Sequence, residues 1–165
     1  GFISPNVVSS WLTQVAENRN YDLILTGVMS EDAQQGQTGV MLAERLSMPW
    51  ATSVIKQEII DESTIRVERE IEGGYRDRLE IKLPCVLTIQ TGINQPRYPA
   101  LSKVLKAKKA ELEEISVQTL NNEQPDHHLM NATYPEKQRE GLVIEGSSKE
   151  KAKQLLDLFA EKALI

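Results

Sequence analysis

Behind Ser4-Pro5, apolar residues recur at Val7, Val8, Trp11, Leu12 and Val15, a spacing that predicts a helix with a serine cap and proline in its first turn. The Asn18-Arg19-Asn20 breaker follows. In "YDLILTG" the run Leu23, Ile24, Leu25 ending at Gly27 predicts a short buried strand of the parallel type. A polar loop, "VMSEDAQQGQTG", leads to a second helix carrying Val40, Leu42, Ala43 and Leu46, which Met48-Pro49 ends. The order helix, strand, loop, helix is the rhythm of an α/β sheet. From Ala51 the period changes to two: "ATSVIKQEII", "STIRVEREI" and "YRDRLEIKL" alternate apolar and polar, separated by Asp61-Glu62-Ser63 and Gly73-Gly74. That pattern predicts an antiparallel meander at 51–83 with one wet face. After Pro84, "CVLTIQTG" predicts an apolar strand that returns to the main sheet.

Further on, Pro99 is expected at a helix start, with Leu101, Val104 and Leu105 on one face and Lys103 and Lys106 on the other. From Asn121 to Arg139 the chain turns polar, as a linker or extended arm does. "GLVIEG" predicts a short strand, and Ser147-Ser148 cap a helix with the stripe Ala152, Leu155, Leu156, Phe159 and Ala163. The expected organisation is a unit over 1–120 and an arm over 121–165, whose helix buries its stripe against the core or another subunit.

Composition narrows the function classes. The chain has 165 residues, enough for one core; 40% are apolar and 26% charged, near globular averages. No apolar run approaches the roughly 20 residues of a membrane helix. A net charge of -5 and 5% aromatics argue against general nucleic-acid binding. With Cys85 alone there is no internal disulfide, and a reducing compartment fits best; Cys85 itself reads as a small buried hydrophobe.

Catalytic constellations are thin. His127 and His128 are adjacent in the polar stretch without metal-ligand companions, and no nucleophile elbow, Walker loop or Cys-His pair is present. Glu68, Glu70 and Glu72 alternate along a strand as a solvated face does. Two places stand out. The loop from Gly27 to Gly39 leaves the C-terminal end of a parallel strand and ends at a helix, where backbone N–H groups make an anion site. Gly36 and Gly39 permit close backbone approach, and Gln37 and Thr38 add donors to a phosphate or ribose. The second is a basic island, with Arg97, Lys103, Lys106, Lys108 and Lys109 and no acid between Arg97 and Lys109. Its plain reading is a solvated helix face. Against that, the stiff Pro96-Arg97-Tyr98-Pro99 segment holds Leu101 as an apolar anchor ringed by charge, the anatomy of a docking site for an acidic protein.

"YDLILTG", the loop ending "GQTG", "VEREIEGG", "LPCVLTIQTGINQPRYPALSKVLKAKK" and "KQREGLVIEGSS" together resemble the β-subunit family of electron transfer flavoproteins. The resemblance covers most of the chain, and Asn-x-Pro-Arg-Tyr-Pro-x-Leu is its most specific part. It implies part of an adenine-nucleotide α-hydrolase-like, Rossmann-like sheet with the inserted meander. It also implies a heterodimer whose α subunit holds most contacts to FAD, while this subunit binds a structural AMP. Electrons would pass from dehydrogenases, such as acyl-CoA dehydrogenases, to a quinone oxidoreductase, without catalytic residues in this chain. The implied AMP loop comprises Gly27, Ser30, Asp32, Gln35, Gly36, Gln37, Thr38 and Gly39. The implied recognition segment comprises Arg97, Tyr98, Pro99, Leu101, Lys103 and Lys106, with Leu101 as anchor.

Glu31-Asp32-Ala33-Gln34-Gln35 stands where the family has an Asp-rich run, and Thr38 favours AMP over the second FAD of bifurcating members. Two other readings stay open. One is a nucleotide-binding assembly or sensor module without electron transfer; the other is an α-hydrolase-like enzyme, for which Glu31 and Asp32 are too few acids. Gly1-Phe2 opens the chain, whereas the family starts upstream; the expectation is an absent N-terminal portion, an exposed sheet edge and self-association. The bacterial cytoplasm is the expected location, with the mitochondrial matrix as the alternative.

Overall fold

The computed structural model describes residues 3–121, 123–134 and 141–162. In chain order the elements are α1 (Pro5–Ala16), β1 (Leu23–Gly27), α2 (Thr38–Arg45), β2 (Trp50–Asp61), β3 (Thr64–Glu70), β4 (Arg76–Lys82), β5 (Cys85–Ile89), α3 (Leu101–Lys108) and α4 (Ser148–Glu161). The strands form one mixed sheet in the order β1-β5-β2-β3-β4, an α/β fold as expected. β5 pairs in parallel with both β1 and β2, while β2, β3 and β4 form the antiparallel meander.

β5 is buried on both faces, which is why its sequence is an unbroken apolar run with no alternation. Cys85 and Leu87 join Ala51, Val54, Ile65, Val67 and Ile81 in one apolar cluster. A cluster shared by strands that are not sheet neighbours requires the sheet to curl. β2 provides the bend: Ser53 has φ 56, and the register shifts on both sides of it. Cys85 sits inside this cluster, and burial raises its thiol pKa above the ordinary value, consistent with an inert packing residue.

The wet face of the meander is a checkerboard. Glu68 stands between Lys56 and Arg78, and Arg66 between Glu58 and Glu80. Arg78 donates to Glu68 at 2.7 Å, and Arg66 donates to Glu80 at 2.7 Å. The Arg78 contact is the main reason the Glu68 carboxyl lies below the usual range. Glu68 thus belongs to the charged surface of the sheet.

Two expectations are corrected. The buried side of α1 is made of Pro5, Val7, Ser9, Ser10 and Thr13, while Leu12 is exposed. Small hydroxyl residues let the helix approach α2 closely and satisfy themselves within the helix. Ser9 Oγ donates to the Asn6 carbonyl at 2.9 Å and Thr13 Oγ1 to the Ser9 carbonyl at 2.8 Å. Ser4 occupies the cap position, but its side chain makes no cap bond. The second correction is at 141–146, which is extended without being a strand, and Leu142 and Val143 are exposed. A strand needs a ladder partner, and the described residues of the second unit contain no strand to supply one.

The chain divides into two compact units, Gly1–Leu129 and Met130–Ile165. In the first, the polar segment after 120 lies on α1 and α2. The Asn121 amide donates to Gln14 Oε1 at 2.8 Å, and Arg45 holds Glu123 through two bonds of 2.8 and 2.5 Å. In the second, Glu150 accepts from the Ser147 amide at 2.8 Å and begins α4, whose described residues are all at least partly exposed. Ala163 lies outside the described residues. Leu155 and Leu156 leave an apolar stripe uncovered within that unit.

Candidate functional site

β1 ends at Gly27, and the chain turns at once over the end of the sheet. The Val28 amide donates to the Ile89 carbonyl at 3.1 Å, fixing the loop's exit to β5. Six residues on, the loop closes upon itself. Ser30 N donates to the Gln35 carbonyl at 3.1 Å, and Gln35 N donates to Ser30 Oγ at 3.2 Å. Gln34, at φ 50, turns the corner, and Asp32 Oδ1 accepts from the Ala33 amide at 2.7 Å.

Gly36 and Gly39 are required by space. A side chain at Gly36 would put Cβ 2.9 Å from the Val28 carbonyl oxygen. At Gly39 it would lie 2.4 Å from Thr26 Oγ1 and 2.8 Å from Thr88 Cγ2. The first turn of α2 therefore rests directly on β1 and β5. Gln37 occupies the cap position without a side-chain cap bond, so the first-turn N–H groups of α2 remain available to a ligand. Thr26 Oγ1, buried under that turn, has no hydrogen-bond partner among the described residues.

Beside the loop is an open cleft of about 310 Å³. Ser30, Asp32, Gln35 and Thr38 line one side, and Ile3, Pro5 and Val8 the other. Four of the eight expected loop residues thus come together in one cleft. Gly27, Gly36, Gln37 and Gly39 are not in its lining. The apolar wall from α1 was not foreseen, because those positions read as ordinary helix-start residues. The cleft's donors suit a phosphate or hydroxyl and its apolar wall suits a ring, while Asp32 suits ribose hydroxyls better than an anion.

A clamp between α1 and α2 was not foreseen. Arg45 on α2 donates to Asn6 Oδ1 at 2.6 Å and to Ser9 Oγ at 3.2 Å, both on α1, besides gripping Glu123. The Arg45 contact holds the Glu123 carboxyl below the usual carboxylate range. Asn6 is half-buried and Ser9 is on the buried side of α1, and as polar residues neither is marked by a hydrophobic period.

The basic island is wholly at the surface. Residues 94–103, which include Arg97, Tyr98, Pro99 and Lys103, are exposed, and Leu101 is 74% exposed at the first turn of α3. The helix starts at Leu101, behind Ala100 in extended conformation, two residues after Pro99. Lys106 is also exposed, and no residue of α3 is buried. A large apolar side chain held out among cations, with nothing of its own unit to cover it, has the form of an anchor.

Parallel strands ending under a glycine-bearing loop and an uncapped helix define an α/β module, a class in which ligands sit outside the carboxyl ends of the strands. The model of the electron transfer flavoprotein domain matches residues 3–120, and the chain belongs to that family. It is 33% identical over 162 residues to the electron transfer flavoprotein subunit beta of Bacillus subtilis, covering 96% of this chain and 62% of that protein. Against the Methylophilus methylotrophus subunit beta the identity is 32% over 164 residues, covering 94% and 61%. Against the Homo sapiens subunit beta it is 38% over 113 residues, covering 68% and 44%. The chain therefore spans about three fifths of the bacterial relatives and less than half of the human one. Among the described residues no helix is long and apolar enough to cross a membrane.

Proposed function

We propose that this chain acts as the β-type subunit of an electron transfer flavoprotein, joined to an α-type subunit that holds most of the FAD contacts. The observation that carries the reading is the family match over residues 3–120, which includes both the loop at the β1 edge and the exposed Leu101 segment. FAD supplies the redox chemistry when bound, and this chain contributes binding and position. The cleft beside Thr38 takes AMP: the α2 N–H groups and Thr38 hold its phosphate, Asp32 its ribose, and Ile3, Pro5 and Val8 its ring. Arg97, Tyr98, Pro99, Leu101, Lys103 and Lys106 dock dehydrogenases such as acyl-CoA dehydrogenases, and electrons leave to a quinone oxidoreductase. The bacterial cytoplasm or the mitochondrial matrix suits such a carrier.

Coexpression with an α-type subunit, followed by denaturation and mass analysis of what is released, tests this. The expected result is FAD and AMP in equal amounts. Nucleotide without any flavin-containing complex would favour an assembly or sensor module instead.

A second expectation concerns β1. It is an edge strand, and Leu25 on it is 54% exposed, a condition that favours pairing with another chain. The 165-residue chain alone is expected to sediment as a dimer or larger species at micromolar concentration. A monomer at every concentration would overturn that expectation.

A further inference from the structure

The polar segment holds a hydrogen-bonded chain that the foregoing function does not use. His127 Nδ1 lies 2.7 Å from Asp126 Oδ1, and His127 Nε2 lies 3.1 Å from Gln35 Nε2. A carboxylate only accepts, so Nδ1 carries the proton that points to it. In the neutral ring Nε2 is then an acceptor, and the Gln35 amide nitrogen donates to it. Gln35 has little freedom otherwise, since its backbone is closed on Ser30 by two hydrogen bonds. Its side chain also lines the cleft that holds Thr38 and Asp32.

We propose that Asp126 and His127 form a positioning pair that sets which end of the Gln35 carboxamide faces the nucleotide cleft. The inference rests on the nucleotide reading of that cleft. With neutral imidazole, the nitrogen of the amide is committed to His127 and its carbonyl oxygen is the end left for the cleft. Protonation turns Nε2 into a donor facing a donor. Gln35 then turns over, gives its oxygen to His127 and presents its NH₂ to the cleft. An NH₂ donates to a phosphate oxygen and a carbonyl cannot, so a phosphate-bearing ligand gains on acidification. The charged or titratable groups near the ring are Asp126, bonded to it, Glu123 and His128, which line the cleft that His127 shares, and Asp32, which lines the cleft beside Gln35. Among the described residues of α1 and before it, those lining these clefts are Ile3, Ser4, Pro5, Val7, Val8 and Trp11, all uncharged.

The test uses the ¹⁵N-labelled 165-residue chain without ligand. The Gln35 side-chain amide resonances are expected to shift with the same midpoint as the His127 ring, and to stay flat over that range in His127→Gln. Gln35 signals that ignore the titration of His127 would overturn the pair. Calorimetric titration with AMP at pH 7.5 and 5.5 then tests the coupling. The AMP phosphate also titrates near pH ~6, so His127→Gln is the reference. On acidification the wild-type affinity is expected to gain about three- to tenfold more than that of the variant, the size of one hydrogen bond. Equal pH dependence in both proteins would overturn the coupling. Absence of AMP binding at both pH values would sink the nucleotide reading, while the resonances still judge the pair.

Discussion

Gly39→Ala is expected to lower the unfolding midpoint by several degrees and to weaken AMP binding, although alanine is the better helix former. Helix propensity favours the substitution by up to about 1 kcal/mol. Opposing it is overlap: the new Cβ would lie 2.4 Å from Thr26 Oγ1 and 2.8 Å from Thr88 Cγ2. Thr88 cannot swing away freely, because its Oγ1 accepts from the Ser53 amide at 3.2 Å, at the bend of β2. The first turn of α2 must therefore lift from the strands, and overpacking of this kind costs roughly 1–3 kcal/mol. In a chain of this size each kcal/mol moves the midpoint by about 2–4 °C. The same lift displaces the N–H groups proposed to meet the phosphate. Thermal unfolding with AMP calorimetry checks both effects. Adding Thr26→Ala and Thr88→Ser removes the two colliding atoms and keeps the Thr88 oxygen, so that variant should recover most of the loss. Without such recovery, close approach is not what Gly39 serves.

That glycine was legible in the sequence as a place of close approach, but its neighbour was not, since Thr26 and Thr88 are 62 residues apart in a 165-residue chain. The same division runs through the molecule. Period-two alternation announced the meander because β3 and β4 each have one wet face and one drier one, whereas β2 is exposed on both faces beyond Ile55. β5 was legible for the opposite reason, both faces being dry. The buried side of α1 was hidden because its contacts are made by Ser9, Ser10 and Thr13, which a hydrophobic period does not count. The polar segment after Asn121 read as an arm because it has few large apolar groups. Its hold on α1, α2 and the loop before α2 is made instead by Gln14, Arg45, Glu123 and the His127–Gln35 pair, and such bonds leave no periodic trace. The lone apolar run at 142–144 shows the reverse error, since β-forming residues without a neighbouring strand stay single.

Two leucine-to-alanine substitutions should separate architecture from docking. Leu87 is 0% exposed at the centre of β5, in register with Leu25 on one side and Ala51 on the other. Leu87→Ala removes its contacts in the cluster with Val54 and Ile65 and leaves a cavity, at about 2–5 kcal/mol. Since whole domains are stable by only about 5–15 kcal/mol, the midpoint should fall by roughly 5–15 °C. Leu101→Ala deletes the same atoms from a side chain already in water, so stability should stay within about 0.5 kcal/mol of wild type. Its expected effect is on the partner. Flavin reduction by an acyl-CoA dehydrogenase, followed by stopped flow in the reconstituted heterodimer, should slow about tenfold or more at subsaturating dehydrogenase, as loss of an interface anchor does. The electrostatic part separates by salt, since the proposed rim charges Lys103 and Lys106 would act on encounter and be screened, whereas an apolar anchor would not. A Leu101→Ala protein that accepts electrons at the wild-type rate would remove the docking assignment. A slow Leu87→Ala protein with an unchanged midpoint would instead mean that β5 carries something besides the fold.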